Sequence, residues 1–292
     1  MISRKLIAGL TLLLALAFAI SGHAGSGEPV RIVSLSPGLT EILYAIGAQG
    51  RLAGVSRQCD YPLAARLKPR CGDFNHPDMA RIAKAGAGLV LLSEQVRDAD
   101  LELLAEAGLQ ARVFPASSGD DIIRSILAIG ELTDKVERAR ELAAELQAEM
   151  DRIGARLGHL AETQRPRVYL EVDGPQLLYS VGRDSFMSDL IRRAGGSNVF
   201  ADRPLPYLAV STQEVVQADP QIILLDHPFQ YKVGAAKREG WDGISAVRSR
   251  RIYDATDFDM ILINRPGPRL PQALNELARM FHPEVFDVQK TD

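Results

Sequence analysis

Two stretches of the chain, 133 residues apart, carry one pattern in different letters. Asp78-Met-Ala-Arg-Ile-Ala-Lys-Ala-Gly-Ala-Gly-Leu-Val-Leu-Leu-Ser93 is answered by Ser211-Thr-Gln-Glu-Val-Val-Gln-Ala-Asp-Pro-Gln-Ile-Ile-Leu-Leu-Asp226. Ile82 aligns with Val215, Ala85 with Ala218, and Leu89–Leu92 with Ile222–Leu225. Each stretch predicts a short capped helix, a tight turn and a four-residue apolar strand. One supersecondary unit repeated once at long range predicts two similar lobes, and the cleft between two lobes is a natural place for a small molecule.

The first 24 residues stand apart from the fold. Arg4 and Lys5 precede the apolar run Leu6–Ile20, and Gly22-His23-Ala24 is close to a small-x-small cleavage site, the layout of a secretory signal peptide. The run is shorter than the roughly 20 residues of a spanning helix, and no cysteine follows it for lipid attachment. Residues 1–24 are therefore expected to be removed on export, and the formal charge of −3 becomes −5. No basic stripe marks nucleic acid as a partner. Cys59 and Cys71 are the only cysteines. In an oxidising compartment this pair is expected to form a disulfide, with free thiols as the other reading. Two cysteines alone are too few for zinc.

Residues 25–133 alternate strands and helices. Val30–Leu35, Leu52–Val55, Leu89–Leu92 and Arg112–Phe114 are expected as strands, with helices opened at Ser36 and spanning Asp98–Glu106. Residues 134–162 differ. Val136, Ala139, Ala143, Leu146, Met150, Ile153, Leu157 and Leu160 recur at steps of three and four, one face of a helix roughly 42 Å long. A dimer seam would show the same steps, but the small Ala139 and Ala143 and the position between two α/β halves favour a helix laid across both lobes. Residues 163–292 resume the alternation, with strands at Arg167–Val172, Gln176–Val181 and Arg251–Asp254 and helices at Ser185–Ala194 and Pro271–Phe281. The expected fold is α/β, with two similar lobes of mostly parallel sheet joined by one long rigid helix.

No catalytic signature is present. Gly47-Ala-Gln-Gly50 is too short for a dinucleotide loop and follows a helix, and there is neither a phosphate-binding loop nor a nucleophile elbow. A secreted two-lobed enzyme would need a nucleophile–base pair or a metal cluster, and the sequence displays neither. What remains is aromatic and polar residues in strand-end loops: Asp60-Tyr61-Pro62, Phe74-Asn75-His76, Tyr179-Ser180, Pro206-Tyr207 and Asp257-Phe258. Strand-end loops are where α/β sheets bind ligands, and flat aromatic walls suit a large ring-rich molecule.

These residues carry a family resemblance. Val30-Arg-Ile-Val-Ser-Leu-Ser-Pro-Gly-Leu-Thr-Glu-Ile-Leu43, Cys59-Asp-Tyr-Pro62 and Pro69-Arg-Cys-Gly-Asp-Phe74 resemble the periplasmic binding proteins of ABC importers for vitamin B12, haem and ferric siderophores, and most of all the corrinoid binders. The resemblance covers the mature chain. It implies a monomer that holds ligand between its lobes, closes only modestly, and delivers its cargo to importer transmembrane subunits. By the same resemblance Tyr61, Phe74, Tyr207 and Asp257 fall at corrinoid-contact positions, Phe74 and Tyr207 where the family has tryptophan. With Tyr179 and Phe258 they form the expected ligand wall, the corrinoid being transported ligand rather than resident cofactor. The family's two docking glutamates fall at Ala80 and Gln213, so Asp78 and Glu214 are the nearest acids for docking. A siderophore binder would draw on Arg57, Arg183, Arg203, Arg265 and Arg269. A haem binder would need Tyr61, Tyr207 or His76 as axial ligand. A receptor subunit that senses the ligand without transporting it is a further reading.

Overall fold

The structure, a computed structural model, describes residues 29–173, 177–226 and 232–286. The expected signal peptide and the first residue of the Gln176–Val181 strand lie outside the described residues. The first lobe opens with strand β1 (Ile32–Ser34), helix α1 (Pro37–Ala45) and β2 (Leu52–Val55). A small antiparallel ribbon, β3 (Gly72–Asp73) and β4 (His76–Pro77), precedes α2 (Met79–Ala85) and β5 (Leu89–Ser93). Then come α3 (Asp98–Glu106), β6 (Gln110–Phe114) and α4 (Gly119–Leu132). The sheet is wholly parallel, in the order β2-β1-β5-β6.

The linking helix is α5 (Val136–Leu157). At 22 residues it is about 33 Å long, shorter than the periodicity predicted. The apolar steps continue to Leu160, but the helix closes at Gly158, and Leu160 packs on the core from the turn beyond. Ala139, Ala143, Leu146, Met150, Ile153 and Leu157 are buried as the spacing requires. The small residues have a specific use: a Cβ on Gly130 of α4 would stand 2.3 Å from the Ala139 Cβ, so the two helices cross nearly in backbone contact. Helix α4 was not anticipated from sequence.

The second lobe follows with β7 (Arg167–Asp173), β8 (Leu178–Val181), α6 (Phe186–Arg193), β9 (Ser197–Asn198) and β10 (Tyr207–Val210). It continues through α7 (Thr212–Ala218), β11 (Ile222–Leu225), α8 (Lys232–Ala235), α9 (Ser245–Arg248) and β12 (Ile252–Tyr253). It ends with α10 (Met260–Ile263), α11 (Leu270–Phe281) and α12 (Pro283–Phe286). Its strands run β10-β8-β7-β11-β12, with β8 antiparallel to both neighbours. Among the described residues no helix is long and apolar enough to cross a membrane.

The echoed units are structural equivalents. Asp78 and Ser211 cap their helices through side-chain oxygens, accepting from the Arg81 and Glu214 amides. Gly86 and Asp219 end them in the left-handed region, at φ 65° and 41°. The strands that follow, β5 and β11, lie beside the first strand of their lobes. Asp78 also pairs with Arg81 at 3.2 Å, and Glu214 accepts from the Ser211 amide and hydroxyl and from Arg203. Both acids thus serve their own helix ends, while Ala80 and Gln213 stand exposed in the first turns.

Alternation along the first sheet divides two cores. Ile32, Val55, Leu89 and Leu91 face a large core that also holds α1, α4, α5, α6 and α11, whereas Val33, Leu35, Val90 and Leu92 face a smaller one. This division corrects the expected disulfide. Cys59 lies in the first core, its Sγ 3.1 Å from both the Thr40 and Ser56 hydroxyls; Cys71 lies in the second, against Gly54, where a Cβ would sit 2.4 Å from Sγ. The thiols are free and on opposite faces of one sheet, and burial raises the pKa of both. Denatured, unreduced protein should titrate two thiols with Ellman's reagent; none would restore the bridge.

Candidate functional site

Because the first sheet is parallel, the C-terminal ends of all its strands share one edge. Along that edge lie Arg57–Tyr61 after β2, Ser36 after β1, Glu94 and Gln95 after β5, and Ser117 after β6. The β3–β4 ribbon joins the row, since Asp73 meets Arg57 at 3.7 Å and accepts from Gln58 Nε2 at 3.4 Å. Half-buried Phe74 sits at the ribbon's turn.

The second lobe meets this edge with a tyrosine. Tyr207 pairs with Val181 and Ala209 with Tyr179, so register puts Tyr179 and Tyr207 on one face of the β8–β10 pair. Val181, on that face, packs into the large core that reaches the first lobe. The Tyr207 ring is 41% exposed, and its hydroxyl accepts from Gln95 Nε2 at 3.5 Å across the gap. Partial burial raises the phenol pKa, and the carboxylates Asp226 and Glu94 add to this while Gln95 opposes it. Glu94 accepts from the Ser117 hydroxyl at 2.8 Å.

Tyr61 is 47% exposed, and the Arg269 guanidinium lies 4.1 Å from its ring centre. The same arginine grips Glu41 of α1 with Nε and Nη2, each at 2.8 Å, while Arg265 reaches Glu41 at 3.3 Å and Asp60 at 2.6 Å. Glu41 is 2% exposed. The sequence motif opened α1, but nothing in it announced that its glutamate would be buried against two arginines of the other lobe.

Two expected wall residues are placed otherwise. Phe258 is 5% exposed and belongs to the core between the lobes. Asp257 is engaged by Lys232 Nζ at 2.7 and 2.8 Å and by the Asp254 amide at 3.0 Å, which ties α8 to the loop after β12. Sequence reasoning overlooked Gln95, Glu94, Ser117 and Asp226, all at strand ends but none aromatic.

Asp226 ends β11 almost fully buried and accepts from Asn264 Nδ2 at 2.7 Å. Burial raises its pKa to about 7 against 3.8 in an exposed aspartate, with the Asn264 hydrogen bond pulling the other way. The native state therefore keeps this proton to higher pH than the unfolded chain. Its contribution to stability is complete below about pH 3.8 and is lost as pH rises through 7. Asp226→Asn should melt with the parent at pH 4 and several degrees above it at pH 8, a difference on the order of a few kcal/mol. Equal melting at both pH values would show that the carboxyl titrates normally.

A surface hollow of about 480 Å³ lies elsewhere, between α5 and α6. The arginines on its wall, Arg165, Arg192 and Arg193, are all paired with carboxylates.

A family model described as "Periplasmic binding protein" matches residues 32–257. An uncharacterized ABC transporter substrate-binding lipoprotein of Bacillus subtilis is 29% identical over 263 residues, 89% of this chain and 82% of the relative. The vitamin B12-binding protein of Vibrio parahaemolyticus is 25% identical over 259 residues, 88% and 91% of the two chains. The periplasmic heme-binding protein of Roseiflexus, solved without ligand, superposes with a TM-score of 0.78 at 25% identity, covering 88% of this chain and all of that one.

Proposed function

Because the chain belongs to the periplasmic binding protein family, we propose that it captures a corrinoid between its lobes, outside the cytoplasm, and passes it to the membrane subunits of an ABC importer. The observation that carries the ligand class is the polar-aromatic character of the gap. Tyr179 and Tyr207 share a face, Tyr207 is met by an amide rather than a charge, and Tyr61 offers a second ring. A corrin ring with peripheral amides suits rings interspersed with neutral hydrogen-bonding groups. The similarity to a vitamin B12-binding protein supports the same reading.

The arginines argue against an anionic siderophore. Arg57, Arg183, Arg203, Arg265 and Arg269 each sit within 4 Å of a carboxylate: Asp73, Asp184, Glu214, Asp60 and Glu41 respectively. A haem ligand would call for an axial phenolate or imidazole. The raised pKa of Tyr207 and its neighbouring carboxylates disfavour the phenolate. We further propose that docking uses the matched faces of α2 and α7, one from each lobe, with Asp78 and Glu214 as their nearest acids.

The test is colour. Mature protein is incubated in turn with cyanocobalamin, haemin and a ferric siderophore, then desalted. Retention of the cobalamin spectrum in stoichiometric amount is expected. Retention of the haem or siderophore spectrum instead would reassign the ligand within the same family.

A further inference from the structure

Tyr61 is a half-exposed tyrosine in a surface loop, a setting in which a ring ordinarily samples several rotamers. Here the ring is backed. Arg269 lays its guanidinium 4.1 Å from the ring centre, and that guanidinium is not free to wander, because Glu41 holds it in a two-pronged grip with both contacts at 2.8 Å. A bidentate carboxylate fixes the plane of a guanidinium as well as its position. Glu41 is itself buried on α1 of the first lobe. The loop before the ring hangs from the same anchor. Arg265, also on Glu41, bonds Asp60 Oδ1 at 2.6 Å and the Gln58 carbonyl at 3.2 Å. The backbones behind these side chains touch: a Cβ on Gly38 would stand 1.9 Å from the Pro266 carbonyl oxygen.

We infer that Glu41 and Arg269 are positioning residues for Tyr61: a buried ion pair bridging the lobes sets the ring face that Tyr61 offers to ligand, without itself touching ligand. The inference rests on the reading of Tyr61 as a wall of the cleft. Its consequence is a coupling between the lobes and the site. Tyr61 and Glu41 belong to the first lobe, the arginines to the second, so any movement that parts Glu41 from Arg269 also releases the ring.

The decisive measurement needs no ligand. The whole mature chain is labelled with 3-fluorotyrosine, and the Tyr61 fluorine signal is identified by its loss in Tyr61→Phe. Arg269→Leu should move that signal toward the position of an exposed tyrosine and leave the other tyrosine signals in place. Arg269→Lys, which keeps the charge but not the plane, should move it in the same direction by less. An unmoved Tyr61 signal in both variants overturns the inference. Calorimetry with cyanocobalamin supplies the second arm. Arg269→Leu should bind roughly tenfold more weakly, and Tyr61→Ala/Arg269→Leu no more weakly than Tyr61→Ala alone. Additive losses would show that Arg269 acts on ligand independently of the ring, which also overturns the inference. If Tyr61→Ala binds as the parent does, the wall assignment fails, and the fluorine signals still decide whether Arg269 positions the ring.

Discussion

Gly38→Ala should destabilise the protein by about 3 kcal/mol or more, lowering the melting temperature by roughly ten degrees. Helix propensity predicts the opposite sign. Gly38 lies in the first turn of α1, where alanine is the better helix former by up to about 1 kcal/mol. The contact decides otherwise. A Cβ at position 38 would lie 1.9 Å from the carbonyl oxygen of Pro266 and 2.8 Å from its carbon. Both are backbone atoms, so no side-chain rotation relieves the clash. Facing it is Gly267, whose own Cβ would stand 3.1 Å from the Gly38 Cα, so the approach is built from glycine on both sides. The lobes could separate to admit the methyl group only by stretching Glu41 away from Arg265 and Arg269, which would leave a buried carboxylate without its partners. Gly50→Ala is the control, since a Cβ there meets nothing within 4 Å. Near-ultraviolet circular dichroism of both variants against the parent reads the result. If Gly38→Ala melts at or above the parent temperature, the lobes do not meet where the structure puts them.

The same contact marks where sequence reading stops. The repeat, its caps, its tight turns and its apolar strands were legible because each depends on neighbours within a few residues. Asp78 caps whatever helix follows it, and Leu89–Leu92 form a buried strand on apolarity alone. The long helix was legible from its steps, apart from the end that Gly158 closes early. Helix α4 carried a signal that was passed over: Ser118 caps at the Asp121 amide, and Ile122, Ile126 and Ile129 follow at helical steps. Tertiary facts left no comparable mark. Cys59 and Cys71 are 12 residues apart and look like a bridge, but they pack into different cores on opposite faces of the sheet. Asp257 and Phe258 read as a site pair. One neutralises Lys232 and the other fills the core, because successive residues of the turn after β12 point to different surroundings. Glu41 and Arg269 lie 228 residues apart, and nothing local to either tells that they meet.

Tyr207→Ala should weaken cyanocobalamin binding by roughly 30- to 100-fold while leaving the melting temperature within about two degrees of the parent. The two halves of that expectation come from one observation: the ring projects from a strand at the edge of its sheet and is 41% exposed, so folding gains little from it. A bound planar ligand would cover the ring, and truncating a central aromatic anchor typically costs 2 kcal/mol or more of binding. Tyr207→Phe separates the ring from its hydroxyl. In the free protein that hydroxyl has one long hydrogen bond, 3.5 Å from Gln95 Nε2, so its loss should change affinity only a few-fold. The phenol's raised pKa keeps it protonated through neutral pH, so the phenol itself should add no pH dependence to affinity between about pH 6 and 8. A haem bound through the Tyr207 phenolate would behave differently on both counts, with binding abolished in Tyr207→Phe and strengthening as pH rises. Calorimetry of the two variants with cyanocobalamin and with haemin therefore separates the ligand classes by the chemistry of one oxygen atom. Unchanged cyanocobalamin affinity in Tyr207→Ala would remove this residue from the cleft wall altogether.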